Sequence, residues 1–258
     1  MGHATEKPES PARSADADAD ADALADGVND YDRFAEAYAR ETEDNLVNAY
    51  YARPAMLALA GDVTGRRVLD VGCGAGPLSA ALRDRGATVT GVDASARMLA
   101  LARKRLGDGV ALHRADLRDP LPFEDGVFDD VVASLVLHYL EDWGPVLAEI
   151  RRVLAPGGRL FASVDHPFVA YTFQEPRPDY FTTTSYAFDW TLEGESHPMR
   201  FWRKPLHAMT DAFTTAGFHR VVISEPQPDP AARDLFPDAF RDLSTRPTFL
   251  FFAAGTPS

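Results

Sequence analysis

The sequence has a single cysteine, no long apolar run and no surplus of basic residues. With only Cys73, an internal disulfide framework is ruled out, which fits a reducing compartment. No stretch approaches the ~20 consecutive apolar residues of a membrane-spanning helix, and no signal-peptide pattern opens the chain. The expectation is a cytoplasmic protein without a membrane partner. Net charge is −13, so the basic footprint needed to grip a nucleic-acid backbone is missing and no nucleic-acid partner is expected. No Cys/His cluster has zinc spacing, so no metal is expected. What remains is a chain of 258 residues, long enough for one large α/β domain with an insertion.

Part of the negative charge is local. Residues 1–30 hold eight carboxylates against Lys7 and Arg13, with Ala and Asp alternating from Ala15 to Asp22. So few apolar groups cannot offset the entropy of ordering, and residues 1–27 are expected to be a disordered acidic leader. The folded domain is expected to occupy 28–258.

The chain is organised around RVLDVGCGAGP, Arg67 to Pro77. Val68, Leu69 and Val71 form the short apolar run of a buried parallel strand. Gly72, Gly74 and Gly76 follow at alternate positions with Cys73 between two of them, and Pro77 suits the first turn of a helix. That helix is predicted to end at Gly86. A strand, a glycine turn and a helix N-terminus together make a cradle that backbone N–H groups can line. The dinucleotide fingerprint G-x-G-x-x-G needs glycine where Pro77 stands. Asp70, two residues before the first glycine, instead suits a cationic ammonium or sulfonium group.

Further strands are predicted at Thr88 to Val92, Val110 to His113, Phe128 to Ala133 and Arg159 to Val164. Phe218 to Ser224 and Thr248 to Ala254 follow, with Pro156-Gly157-Gly158 read as a turn. Asp93 comes 23 residues after Asp70, close to the ~20 that separate a glycine turn from a ribose-binding acid. Ser95 is a helix cap. Tyr31 to Tyr51 reads as helical, with Tyr31, Phe34 and Tyr38 on one face.

The run V-L-D-V-G-C-G-A-G resembles the first motif of class I S-adenosylmethionine-dependent methyltransferases, in particular small-molecule enzymes with a type 11-like domain. G-V-D-A-S around Asp93 and Ala94 is similar to the second motif, and R-V-L-A-P-G-G-R-L, Arg152 to Leu160, to a later one. Y-D-x-F-A-x-x-Y from Tyr31 resembles the helix that caps the cofactor in that family. The resemblance implies a Rossmann-like, doubly wound sheet of seven mostly parallel strands with an antiparallel terminal strand, and N-terminal cap helices over 28–62. It implies S-adenosyl-L-methionine as cofactor, with S-adenosyl-L-homocysteine as product. Tyr31 would lie near the cofactor's carboxylate, the turn of Gly72, Cys73, Gly74 and Gly76 around its amino-acid end, and Asp93 at its ribose. Met98, Asp116 and the backbone of Leu117 would meet the adenine. Ser134 and His138 leave the fourth strand at the ligand-binding edge. His138 reads as a wall of the pocket or as a proton acceptor. Tyr50 and Arg53 are pocket residues by the same resemblance.

Two features concern the methyl acceptor. His166 ends the fifth strand, where Asp165 could orient its imidazole to take a proton; the alternative is a structural histidine before Pro167. From 165 to 205 aromatic residues crowd together, and Tyr186, Phe188 and Trp190 alternate as in a half-buried strand. This insertion reads as a small antiparallel lid over an acceptor pocket that includes Phe168, Tyr186 and Trp202, or else as a satellite core or a homodimer face. The catalytic candidates are therefore His166 and Tyr50. The expected function is methyl transfer to an O, N or C atom of a small aromatic or apolar metabolite by in-line displacement, in the manner of secondary metabolism. The alternatives are a non-catalytic cofactor-binding scaffold of the same fold and a nicotinamide oxidoreductase, which Pro77 opposes.

Overall fold

The structure, a computed structural model, describes residues 29–257; the leader expected at 1–27 lies outside them. Seven strands form one sheet: β1 (Arg67–Val71), β2 (Thr88–Asp93), β3 (Ala111–Arg114), β4 (Phe128–Ser134), β5 (Leu154–Asp165), β8 (His219–Ser224) and β9 (Phe249–Gly255). Their order is β3-β2-β1-β4-β5-β9-β8. All pairings are parallel except those of β9, which runs antiparallel to both β5 and β8.

Successive side chains of a strand point to opposite faces, and both faces here are apolar. Leu69, Val71, Val131 and Leu160 pack with Val146, Leu147 and Ile150 of α5 (Gly144–Val153) and Phe213 of α7 (Leu206–Thr215). Val68, Val132 and Phe161 take the other face, against α2 (Arg53–Ala60), α3 (Pro77–Asp84) and α4 (Ala96–Leu106). This is the expected doubly wound sheet. The chain leaves β1 for β2 on one side, while β4 lies on the other. A crevice therefore opens at the carboxyl ends of β1 and β4, where open α/β sheets bind ligands.

A separate hairpin, β6 (Thr184–Leu192) and β7 (Glu195–Arg203), closes through Glu193 and Gly194 at φ 52° and 86°. Left-handed φ at both central residues matches the twist of the flanking strands. Tyr186, Met199 and Phe201 are buried against Phe34 and Ala170, with Tyr31, Tyr38, Phe188 and Trp190 packed around them. Tyr186 Oη donates to Asp165 Oδ2 (2.9 Å) at the end of β5, and Phe201 packs edge-on to His138. The hairpin thus stands over the carboxyl ends of β4 and β5.

Several boundaries differ from expectation. The helix predicted over Tyr31 to Tyr51 is broken: a 3₁₀ turn (Tyr31–Arg33), α1 (Ala35–Asp44) and a wide turn (Asn48–Ala52) precede α2. Asn45 is extended (ψ 157°), and its carboxamide oxygen accepts from Asn48 N–H (2.8 Å), a local bond that competes with helix continuation. Pro156, Gly157 and Gly158, read as a turn, lie within β5, where Gly157 N–H donates to Pro257 O (2.8 Å). The proline-rich stretch before β9 contains α8 (Pro237–Leu243), and a short α6 (Pro167–Thr172) follows His166. Proline at the first helical position starts both, a signal the composition concealed.

Candidate functional site

The head of the crevice is made by the turn after β1. Gly72 N–H (2.8 Å) and Cys73 N–H (3.0 Å) both donate to Val92 O, tying the turn to β2. Gly74, at φ 54°, donates its N–H to Asp93 Oδ2 (2.8 Å), and Asp93 Oδ1 accepts from Ser95 N–H (2.9 Å). A Cβ on Gly74 would meet nothing within 4 Å, because that position faces open space. Each Asp93 oxygen retains a lone pair for a ligand. Ser95 caps α4 through Met98 N–H (3.0 Å) as predicted.

The resulting cavity holds about 350 Å³. It brings together Tyr31, Arg53, Asp70, Gly72, Cys73, Gly74, Asp93, Ala94, Met98, Asp116, Leu117 and Ser134. Asp70 is buried and accepts from Ser79 Oγ (2.6 Å). Burial, with the charge of Asp93 behind it, pushes its carboxyl up to about 7. A cation beside it would reverse that shift. Asp93 is also raised by burial, although three backbone N–H groups oppose this. Burial drives the Cys73 thiol far above its ordinary range, which favours the protonated, unreactive form. Asp116 is gripped by Arg118 (Nη2 to Oδ2, 2.6 Å), which holds its carboxyl low.

Other sequence-predicted residues stand outside the cavity wall. Gly76 is the left-handed residue (φ 79°) that starts α3, and it packs on Leu106. His138 is buried beside the wall. Its Nδ1 accepts Asp165 N–H (3.2 Å), and burial lowers its pKa. His166 does not face the cavity: its Nδ1 accepts Phe168 N–H (3.3 Å) as the cap of α6, and Nε2 pairs with Glu225 Oε1 (2.9 Å). Asp165, expected to orient it, turns instead to Tyr186. Tyr50 packs on Phe236 (5.8 Å between ring centres), and Phe168 is 54% exposed on α6. Tyr186 and Trp202 belong to the hairpin and do not line the cavity.

Sequence reasoning passed over Tyr139 and Leu140, which line the cavity just after β4. Their signal in the sequence is the carboxyl end of a central strand, where His138 offers the more obvious reactive side chain. Tyr139 Oη lies 2.5 Å from Tyr31 Oη, and Tyr38, also in the wall, packs edge-on to Tyr31 (5.1 Å). Asp32 docks this N-terminal segment on α4, accepting from Ser95 Oγ (2.5 Å) and Arg97 N–H (2.9 Å).

The donor set fits one kind of ligand. A buried acid without a cation, a turn whose glycine leaves space for a bound group, and a second acid one strand over suit a molecule with a cationic end and a vicinal diol. S-adenosylmethionine has both: Asp70 would hold its ammonium group and Asp93 its ribose hydroxyls.

Comparison with known proteins agrees. The Methyltransferase domain family matches residues 69–162. A ubiquinone biosynthesis O-methyltransferase from Aromatoleum aromaticum is 36% identical over 43% of this chain and 49% of its own length. A demethylmenaquinone methyltransferase from Clavibacter sepedonicus is 39% identical over 50% and 54%. The chain thus spans about half the length of these two relatives. An S-adenosylmethionine-dependent methyltransferase from Mesorhizobium loti, solved as a crystal structure, is 30% identical over 78% of this chain and 96% of that one, with a TM-score of 0.66. Shared identity over nearly the whole of that enzyme, on the same fold, places this chain in the class I S-adenosylmethionine-dependent methyltransferases, as an enzyme that takes S-adenosylmethionine as its cofactor.

Proposed function

We propose that the protein methylates a small, ring-bearing apolar molecule. The observation that carries this is the set of aromatic rings in the cavity wall, Tyr31, Tyr38 and Tyr139, backed by Trp190 and Phe201 of the β6–β7 hairpin. Relatives named for ubiquinone and demethylmenaquinone methylation support a ring as acceptor. Net charge −13 supports a small molecule over a nucleic acid.

Bound S-adenosylmethionine supplies a methyl carbon activated by its sulfonium. The chain's own contribution is placement. Asp70, Gly74 and Asp93 hold one partner along β1 and β2, while Tyr31, Tyr38 and Tyr139 face the other at the end of β4. Holding a nucleophile about 3–3.5 Å from the carbon and in line with the leaving sulfur supplies much of the rate. The hairpin packs behind these tyrosines, Trp190 on Tyr38 and Phe201 on Tyr139, and shields that side of the cavity from water. His166, tied to Glu225, is given no proton-transfer role in this reading.

Calorimetric titration with S-adenosylmethionine, S-adenosylhomocysteine and NADH tests the cofactor site. Tight binding of the first two and none of the third is expected. Incubation with hydroxylated and quinoid aromatics, followed by mass spectrometry, then tests the acceptor. A gain of one methyl mass on an aromatic compound supports the reading; gain only on acyclic polar compounds sinks it.

A further inference from the structure

Two of the three cavity tyrosines, Tyr31 and Tyr139, form a hydrogen-bonded pair whose proton count does not close within the protein. Tyr31 Oη and Tyr139 Oη are 2.5 Å apart, and the Tyr38 ring packs edge-on against Tyr31 (5.1 Å between ring centres). A pair of phenols carries two protons but has only one link to fill. One hydroxyl proton is therefore left over, on groups that line a cavity. Burial holds Tyr31 and Tyr139 well above the ordinary phenol range and Tyr38 at about 12, so all three stay neutral donors. The rings are rigidly set: Tyr38 stacks on Trp190 (5.5 Å, 5° between planes), and Tyr139 packs on Phe201 (5.2 Å).

Position decides what the spare proton meets. Asp70 lies one residue before the end of β1, Asp93 ends β2 and Asp116 follows β3, marking the half of the sheet edge the cofactor would occupy. Tyr139 follows β4 on the opposite side of β1, where the hairpin aromatics begin. A carboxylate on the cofactor has another partner available. Among the described residues, Arg53 lines the cavity, and its guanidinium makes one hydrogen bond, from Nη2 to Thr42 O (3.3 Å).

We propose that the Tyr31–Tyr139 pair, held in place by the Tyr38 ring, donates a hydrogen bond to an oxygen on the ring of the methyl acceptor, selecting phenols, catechols and quinols over oxygen-free rings. This rests on the preceding reading of a ring-bearing acceptor and narrows it. A neutral donor that cannot ionise favours an oxygen bearing negative charge, so the pair also steadies the acceptor as a phenolate. Tyr139 and Tyr31 are specificity residues in this account.

The test uses the full chain saturated with S-adenosylhomocysteine, titrated with catechol and with toluene, read by calorimetry or ligand-detected NMR. The wild type should hold catechol more tightly than toluene. Tyr139→Phe, which keeps the ring and deletes the hydroxyl, should weaken catechol about tenfold and leave toluene and S-adenosylhomocysteine unchanged. Tyr31→Phe, which deletes the other hydroxyl of the pair, should behave alike. Unchanged S-adenosylhomocysteine affinity in each variant shows that it is folded. Three outcomes overturn the proposal: a wild type that holds catechol no tighter than toluene, an equal loss of both rings in the variants, or a loss confined to S-adenosylhomocysteine. The last would assign the tyrosines to the cofactor's carboxylate. Absence of S-adenosylhomocysteine binding to the wild type would instead strike the cofactor site beneath both readings.

Discussion

Asp93 and Gly74 are joined by a charge-assisted hydrogen bond, Gly74 N–H to Asp93 Oδ2 at 2.8 Å, so the acid of β2 holds the turn of β1. Asp93 is therefore a structural strut as well as the candidate partner of a ribose. Hydrogen bonds to a charged group are each worth about 1.5–3 kcal/mol.

Asp93→Ala should accordingly do two things at once. It should lower the melting temperature of the ligand-free protein and weaken S-adenosylhomocysteine at least tenfold. Asp93→Asn keeps one acceptor oxygen and should fall between. If the melting temperature drops while affinity is unchanged, Asp93 serves the turn alone.

Asp70 predicts a pH dependence. Its carboxyl is raised to about 7 in the folded state, against about 4 in an unfolded chain. Between those values the folded state binds more protons, so stability falls as pH rises from about 4 to 7 and levels off above. A cationic ligand favours the ionised form, so its binding should release a proton below pH 7. Melting curves across pH, and calorimetry in buffers of different ionisation heat, measure the two effects. Asp70→Asn should reduce both, leaving the share of Asp93, which burial also raises; a proton release undiminished in this variant would assign it elsewhere.

Two glycines of the same turn should fail differently when changed to alanine. At Gly72, itself left-handed at φ 72°, a Cβ would also lie 2.6 Å from Val136 Cγ2, so Gly72→Ala should add overpacking of about 1–3 kcal/mol to the backbone cost. At Gly74 the added carbon meets only open space, and the cost to folding is the left-handed φ, about 1–2 kcal/mol. Gly74→Ala should lose more affinity for S-adenosylhomocysteine than its loss of stability explains. Denaturant melts set beside titrations give the comparison, and parallel losses in both variants would count against a ligand at Gly74.

Asp130 gives a control far from the site. It is fully buried near the start of β4 and is clasped by Arg66 (Nη2 to Oδ1, 2.8 Å) and Arg159 (Nε to Oδ1, 2.7 Å). Asp130→Ala leaves two half-exposed guanidinium groups without a counter-charge and should cost about 3 kcal/mol. In whatever fraction stays folded at low temperature, S-adenosylhomocysteine affinity should match wild type.

The central features were legible because they are local. The apolar run of β1, the left-handed glycines and the spacing from Asp70 to Asp93 each follow from neighbouring residues, and they sufficed for the fold class and the cofactor. Ser95 capping α4 and Gly86 ending the turn after α3 belong to the same kind, since a cap is decided within one helical turn. The break at Asn45 and the helix starts at Pro167 and Pro237 are local too, but their proline and asparagine signals read equally well as loop.

His166 could not be placed from the chain alone. Its position at the end of β5 is a property of the sequence, whereas the direction of its ring depends on Glu225, 59 residues away. Tyr31 and Tyr139 are 108 residues apart, and nothing in either neighbourhood announces the other. Backbone geometry and periodicity are set by residues within a turn or two, so the sequence by itself determined the sheet, the glycine cradle and the acids along it. Which side chains meet across the cavity depends on how the N-terminal segment, the β4 turn and the hairpin pack against one another, and that only the tertiary structure decided.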